Sequence, residues 1–394
     1  MKDAVLVAFL ILITLSPFMT LSSQSRTETS IHGILSNQYT EHLPIYIVDD
    51  SDFSILGFLG SGTEADPYII HGLNISNAPY GISISDTSVY FVIRDCYISG
   101  SASASAGIWF TSLGHGRVEE CVIQGGQYGI ELDNCDHITV VNNTIVGSRD
   151  YGLRISQGEF NDMTSNRIFA NHNGIGVMNT DNSTIRSNLV YTNSRIGIEI
   201  GPYSMFNEIY WNSLGWNEGP LSLTGERNAE DNGANNTWYE NRWSDHLTLV
   251  SALYHIPGDA DAIDGRAMTL RDDVEPLLYS NVSETILQGN TSEFLTWTVV
   301  ENFPFSYELY QDGDLVRGGY LVWDKIETPL STLSVGEHNY TLNVRDGYGN
   351  SNTSRMILNI TQPLILDSYL LAGLGLGAIL LVLVIWEKKF HKPT

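Results

Sequence analysis

The chain has 394 residues, with 20 Lys and Arg against 45 Asp and Glu, a net charge of −25. Lysine occurs only as Lys2, Lys325, Lys388, Lys389 and Lys392, and so acidic a middle excludes nucleic acid as a partner and disfavours a polyanionic sugar unless cations bridge it. Only 16% of residues are charged while Gly reaches 36 and Asn 30, so turn-formers carry the polarity and an all-helical protein is disfavoured.

At the N terminus, Ala4 to Thr20 is an apolar run behind Lys2, followed by Leu21-Ser22-Ser23-Gln24-Ser25. This is the order of parts in a secretory signal peptide, assigned to 1–25 with cleavage near Ser23 to Ser25; an uncleaved anchor is the alternative.

A repeat follows. Gly-apolar-x-apolar recurs at Gly81-Ile82-Ser83-Ile84, Gly107-Ile108-Trp109-Phe110, Gly129-Ile130-Glu131-Leu132, Gly152-Leu153-Arg154-Ile155, Gly174-Ile175-Gly176-Val177 and Gly197-Ile198-Glu199-Ile200, in steps of 22 to 26 residues. A second series, apolar-x-x-Asn/Cys-x-apolar, runs from Ile93/Cys96/Ile98 to Ile209/Asn212/Leu214. Each unit holds two short alternating segments that cannot bury their own apolar face; stacked, every Ile gains a neighbour ~4.8 Å above and below. Neither a leucine-rich consensus nor a propeller period is present. The expected fold class is all-β: a right-handed parallel β-helix of about 7–8 rungs over 26–245, a linker and closing strand over 246–274, a C-terminal β-sandwich, and one transmembrane helix.

Asn143, Asn166, Asn188 and Asn212 share one position and predict an Asn ladder in a turn. Cys96 and Cys121 occupy that column earlier and are expected as a buried thiol pair, since parallel inward side chains miss the disulfide dihedral; Cys135 lies outside it. Trp211, Trp216, Trp238 and Trp243 are expected to cap the last rungs.

The entry Gly60-Ser61-Gly62-Thr63-Glu64-Ala65-Asp66-Pro67-Tyr68-Ile69-Ile70-His71-Gly72-Leu73-Asn74-Ile75, the exit Asn235-Asn236-Thr237-Trp238-Tyr239-Glu240-Asn241-Arg242-Trp243-Ser244-Asp245 and the tail Tyr254-His255-Ile256-Pro257-Gly258 resemble the NosD-type β-helix family, which carries the carbohydrate-binding and sugar-hydrolase repeat. The resemblance covers about residues 42 to 270. It implies the fold and an exported location, but hardly any catalysis. The family name implies copper-enzyme maturation, yet no Cys-x-x-Cys, His-x-His, Met-rich or paired-His spacing occurs here. No cofactor is expected, with calcium possible at the clustered oxygens of Asp259, Asp261 and Asp264, or of Asp49, Asp50 and Asp52; neither cluster keeps EF-hand spacing.

From 275 to 362 the pattern changes to separate alternating strands, among them Leu295 to Val299, Ser306 to Tyr310 and Asn339 to Val344, which suit an immunoglobulin-like sandwich serving as a stalk. Tyr340 is the candidate tyrosine corner, and the region is similar to immunoglobulin-like or fibronectin-like modules. Leu364 to Trp386 is long enough to span a bilayer, and Lys388, Lys389 and Lys392 place the tail 387–394 in the cytoplasm. That makes a single-pass cell-membrane protein whose exterior, 26–363, carries 16 Lys and Arg against 42 Asp and Glu, a net −26. Glycosylation candidates in that exterior are Asn74, Asn142, Asn182, Asn235, Asn281, Asn290, Asn339, Asn352 and Asn359.

Polysaccharide lyases and hydrolases use this fold, so catalysis was sought at the outward positions Ser83, Trp109, Glu131, Arg154, Gly176 and Glu199. Glu131 and Glu199 are three rungs apart, about 14 Å at ~4.8 Å per rung, beyond the reach of paired glycosidase carboxylates. Glu131, Asp133 and Arg154 are the candidates for chemistry, with Glu131 and Arg154 expected as a surface ion pair. Asn179-Thr180-Asp181 and Gly114-His115-Gly116 resemble fragments of polygalacturonases, but in the wrong order and without the remaining elements. Tyr80, Trp109, Tyr128 and Tyr151 are candidates for stacking on sugars, or for packing over the turns. The leading expectation is non-catalytic binding of glycans or surface proteins; a polysaccharide lyase or hydrolase, and a structural spacer of a surface layer, are the alternatives.

Overall fold

The computed structural model describes residues 39–76, 79–100, 105–218, 226–246, 253–281, 285–287, 294–330 and 333–362. The proposed leader, Asn290 and the apolar segment 364–386 fall outside these; among the described residues no helix is long and apolar enough to cross a membrane.

Three sheets of ten, eight and ten strands run the length of a β-helix, all parallel except that Tyr254–His255 closes the third as an antiparallel end strand on Ile263–Asp264. The eight-stranded sheet, from Ile45–Ile47 to Ala229–Asp231, marks about eight turns. The repeat glycines lie on this sheet because adjacent turns approach closely there. A Cβ on Gly81, Gly129 or Gly174 would stand 2.7, 2.5 or 2.3 Å from the carbonyl oxygen of the corresponding glycine one turn on. The interior is a stack of like residues: Ile82, Ile108, Ile130, Leu153, Ile175 and Ile198 are in register and buried.

The expected Asn ladder is present and longer than the repeat suggested. The Oδ1 of Asn166, Asn188, Asn212 and Asn241 each accepts the backbone N–H and the Nδ2 of the ladder residue one turn earlier, at 2.9–3.1 Å. Each ladder residue follows one corner residue of positive φ, such as Asn142, Ser165 or Ser187. Two further ladders occupy the other corners: Asn171, Asn193, Asn217 and Asn228, and Asn161, Ser183, Asn207 and Asn236. At these corners a side chain of the next turn satisfies the backbone N–H and so replaces the missing strand partner. Cys96, Cys121 and Cys135 are free and buried.

Both ends are closed. The helix Asp50–Ile55 lays Phe53 against Tyr68 and Phe91, with ring centroids 4.8 and 5.5 Å apart. Its acids are bonded locally: Asp49 accepts from Ser51, Asp50 from Ser88 and Asp52 from the Val48 N–H, and their oxygens do not converge within 4.8 Å of one another as a group of three. At the far end the four tryptophans divide. Trp238 and Trp243 are buried over the last rung, and Tyr254 stacks on Trp243 at 4.0 Å. Trp216 instead packs on Phe303, and Trp211 is half exposed with its N–H donated to Glu240.

The C-terminal region forms a three-stranded antiparallel sheet and a five-stranded sheet around one core that includes Leu295, Trp297, Leu309, Tyr340 and Leu342. Tyr340 donates its hydroxyl hydrogen to Gln311. This region does not stand beyond the rod as a stalk; it lies against the rod's flank. The outer side of the first ten-stranded sheet is apolar at Val146, Phe169 and Tyr191, and Phe303, Phe305, Tyr320 and Val322 cover it. Tyr191 is fully buried and donates to the Pro304 carbonyl at 2.8 Å, while Arg167 donates to the Val322 carbonyl at 2.6 Å. A strand buried on both faces reads as consecutive apolar residues, here Ile145-Val146, Ile168-Phe169 and Val190-Tyr191. Tyr191→Phe, which leaves the Pro304 carbonyl without its donor, is expected to cost about 1–2 kcal/mol in urea unfolding.

Candidate functional site

The outward face of the eight-stranded sheet carries the candidate residues in the predicted register. Tyr46, Ser83, Trp109, Glu131, Arg154, Gly176, Glu199 and Glu230 form one column, one residue per turn. Tyr80, Ala106 and Tyr128 lie in register in a second column, as do Tyr151 and Asn173 further along. Thr111, Asp133 and Ser156 belong to a third. Alternation along each strand turns the first and third columns away from the core; the second lies at the strand starts, where Ala106 and Asn173 are buried and the tyrosines are partly exposed.

Three arrangements follow along this face. At its N-terminal end Tyr80 and Trp109 stack, with centroids 5.1 Å apart and planes at 27°, and both rings are partly exposed. Tyr46, one turn further out and 51% exposed, adds a separate ring in the same outward column as Trp109, with Ser83 between them; alternation within Ile45-Tyr46-Ile47 was the signal that could have added it to the candidates.

In the middle, Arg154 donates to Glu131 at 2.6 Å and lies over the Tyr128 ring, 5.5 Å from its centroid. Burial pushes the Glu131 carboxyl up, an effect that its bond to Arg154 opposes. The pair is half-buried and contributes roughly 1 kcal/mol. Glu131 thus faces a guanidinium rather than a second carboxyl, and Asp133 lies two residues along the same strand.

At the C-terminal end Tyr151 spans two turns. Its hydroxyl donates to Glu199 at 2.6 Å, and its ring covers Gly176, where a Cβ would stand 2.5 Å from a ring carbon. Burial first, and then the Glu199 carboxylate, hold the Tyr151 phenol far above its usual range. Tyr151 is therefore a bracket across the sheet rather than an open stacking face; the absence of a side chain at Gly176 was its one trace in the sequence. Tyr128, covered by Arg154, is also withdrawn from the aromatic surface.

The polygalacturonase-like fragments have structural roles. Thr180 is buried, Asp181 accepts the Met205 N–H at 2.7 Å, and His115 stacks between Tyr90 and His137. Of the calcium candidates, Asp264 is buried and accepts five N–H bonds, while Asp259 and Asp261 remain on the exposed loop. Among the sequons, Asn74 is buried with Nδ2 on Glu41, which leaves no path for a glycan. Asn142, Asn182 and Asn235 sit at exposed positive-φ corners, and Asn281, Asn339 and Asn359 are exposed. Asn352 donates its amide to the Pro276 carbonyl. A cleft of about 370 Å³ near the N-terminal end, lined by His42, Phe58, Leu59, His71 and Arg94, includes none of the candidate residues.

A family model described as periplasmic copper-binding protein (NosD) matches residues 46–254, more than half of the chain. The chain belongs to the NosD family. The family's periplasmic description agrees with an extracellular or periplasmic location. Among solved structures, the chain is similar to a mutant of the periplasmic alginate epimerase AlgG at 17% identity, over 51% of this chain and 50% of that one, with a TM-score of 0.39. It is similar to pectate lyase Pel9A at 13% identity, over 59% and 69%, with a TM-score of 0.39. The fibronectin(III)-like modules of Clostridium thermocellum CbhA match at 12% identity, over 22% and 98%, with a TM-score of 0.18. This chain spans half the length of the epimerase. No curated protein matches it.

Copper does not fit the donors this NosD member offers. Among the described residues the single group of three or more His, Cys, Asp or Glu atoms close enough to share an ion is entirely carboxylate. His115 and His137 stack with centroids 6.3 Å apart, and the Cys96 and Cys121 thiols are enclosed in the core and directed at backbone carbonyls. Copper prefers imidazole, thiolate and thioether ligands converging on one point, and no step is derived through it.

Proposed function

We propose that this protein is a surface-exposed binding rod whose eight-stranded face holds carbohydrate chains without cleaving them. The observation that carries this reading is the partly exposed stacked pair Tyr80 and Trp109, with exposed Tyr46 in the same outward column as Trp109 and with Glu131 on the next turn already paired with Arg154. Partly exposed rings on a flat, rigid sheet offer stacking faces to sugar rings. Glu131 is held by a guanidinium, which opposes its use as the protonated member of a carboxyl pair with Asp133, the arrangement that hydrolysis requires. The segment 364–386 anchors the chain, and the two C-terminal sheets, read as an immunoglobulin-like or fibronectin-like module, brace the rod. The net charge of −25 favours neutral glycans, or acidic ones bridged by cations.

Neutral and uronic-acid oligosaccharides on a glycan array, probed with and without calcium, test the proposal. Binding is expected to weaken about tenfold on Trp109→Ala, the loss of one stacking platform. No binding to any glycan would sink it. Sustained product release that disappears on Glu131→Gln or Asp133→Asn would establish a lyase or hydrolase in its place.

A further inference from the structure

Three carboxylates that the outward face does not use meet where the C-terminal sheets join the end of the β-helix. Asp272 follows the strand Met268–Thr269, Glu301 follows Phe294–Val300, and Asp346 closes Gly336–Asp346. One oxygen of each lies within 4.8 Å of those of the other two. Asp272 is 7% exposed and Asp346 1%. No Lys, Arg or His forms an ion pair with any of them among the described residues.

The hydrogen bonds around the trio are uneven. Asp346 Oδ1 accepts the Gly349 and Asn350 N–H groups at 2.7 and 2.8 Å, and its Oδ2 accepts Asn350 Nδ2 at 2.8 Å. Glu301 Oε1 accepts the Phe303 N–H at 2.9 Å. Asp272 has a 3.5 Å contact from the Val274 N–H on Oδ1, and its enclosed Oδ2 meets no donor. A buried carboxylate oxygen without a donor, beside two further carboxylates and no cation, is a costly arrangement unless something positive joins it. The crowding also shows in protonation: burial, then Asp272 and Asp346, push the Glu301 carboxyl up to about 7.

We propose that Asp272, Glu301 and Asp346 bind one hard divalent cation, calcium by preference, which fastens the C-terminal sheets to the end of the β-helix. All the donors are oxygens, the chemistry of calcium, magnesium and manganese rather than of copper. The three residues lie on separate segments, so the ion can be held only once both parts have folded and docked, and its binding adds to the stability of that joint. Asn350 already links the segments, giving Nδ2 to the Asp272 carbonyl at 2.9 Å as well as to Asp346. Nearby, a Cβ on Gly347 would lie 2.7 Å from the ring of the interface residue Tyr191.

The full-length protein, stripped with a chelator, tests this by equilibrium dialysis and thermal unfolding with calcium, magnesium or manganese. Wild type is expected to bind one more calcium than the Asp272→Asn/Glu301→Gln variant, with a Kd on the order of 10⁻⁴ M. Calcium should raise the wild-type midpoint and leave the variant's unmoved; in chelator the variant should equal or exceed wild type, because its crowded charges are gone. Asp259→Asn/Asp261→Asn should keep the full response. If the first variant does not fold, terbium luminescence sensitised by neighbouring aromatic rings in wild type, and displaced by calcium, reads the same site. Equal calcium counts and midpoints in wild type and variant, or no terbium signal that calcium displaces, would overturn the proposal and leave a shared proton as what joins the three carboxyls.

Discussion

Asn188→Ala is expected to destabilise the β-helix by about 3–5 kcal/mol. The side chain is completely buried and makes four hydrogen bonds at 2.9–3.1 Å. Its Oδ1 accepts the backbone N–H and the Nδ2 of Asn166; its Nδ2 donates to the Met163 carbonyl and to Asn212 Oδ1. Truncation leaves the Asn166 N–H and the Met163 oxygen buried and unpaired, at roughly 1–3 kcal/mol each, and opens a small void besides. Asn188→Asp fares no better, because a carboxylate cannot donate to the Met163 oxygen and brings an unpaired charge into the stack. The control is Asn142→Gly at the exposed corner one residue before the ladder, whose φ of 57° glycine adopts freely; it should change stability little. Urea unfolding followed by far-UV circular dichroism distinguishes these outcomes. A loss below about 1 kcal/mol for Asn188→Ala would mean that water replaces the ladder and that the apolar stack alone holds the turns.

Asp264→Asn is the second large effect, expected at about 3–4 kcal/mol. Asp264 takes over the acceptor role of a next ladder asparagine from the strand position opposite Trp238, since Ala267 stands in the ladder's own register, and it closes the ladder with two acceptors. Its Oδ1 takes the Glu240 and Arg266 N–H groups; its Oδ2 takes the Asn241 N–H, Asn241 Nδ2 and the Trp243 indole N–H, all at 2.9–3.1 Å. Five donors can converge only on a group with no hydrogens of its own. An amide would set its NH₂ against at least two of them, and the charge-assisted bonds would fall to neutral strength. Trp243 would be held by a weaker, neutral bond, and the loosened last rung would present open strand edges to solvent. Near-UV circular dichroism of the tryptophans and aggregation on mild heating should report both changes. A calcium role for Asp264 makes the opposite prediction, that chelation alone reproduces the variant's tryptophan spectrum.

These two residues show how unevenly the molecule is written in its sequence. Asn188 was recognisable because the same position recurs every 22 to 24 residues, and Glu131 beside Arg154 was recognisable as an ion pair from the same register. The other two ladders lie in the same repeat with the same 22- and 24-residue steps, but one is broken by Ser183 between Asn161 and Asn207, and the other ends at Asn228 only 11 residues after Asn217. Asp264 stands in the sequence only as one acid of the cluster with Asp259 and Asp261, because a single residue that closes a ladder from outside its register has no repeat behind it. Tyr151 was grouped with Tyr80 by its place before the repeat Gly, whereas its direction depends on the empty position at Gly176 one turn away.

Periodicity determined the rest of what the chain discloses unaided. A regular return of glycine, isoleucine and asparagine dictates stacked turns, since each unit can bury its apolar side only on the next, and it assigns every outward residue to a column. The tertiary structure alone decided where the C-terminal sheets lie, which aromatic rings stay open, and that Asp272, Glu301 and Asp346 meet. Those contacts join elements far apart in the chain, through surfaces that follow no common period: the apolar pairs Ile168-Phe169 and Val190-Tyr191 mark strands buried on both faces, but the partner that covers them is set by shape and burial after folding.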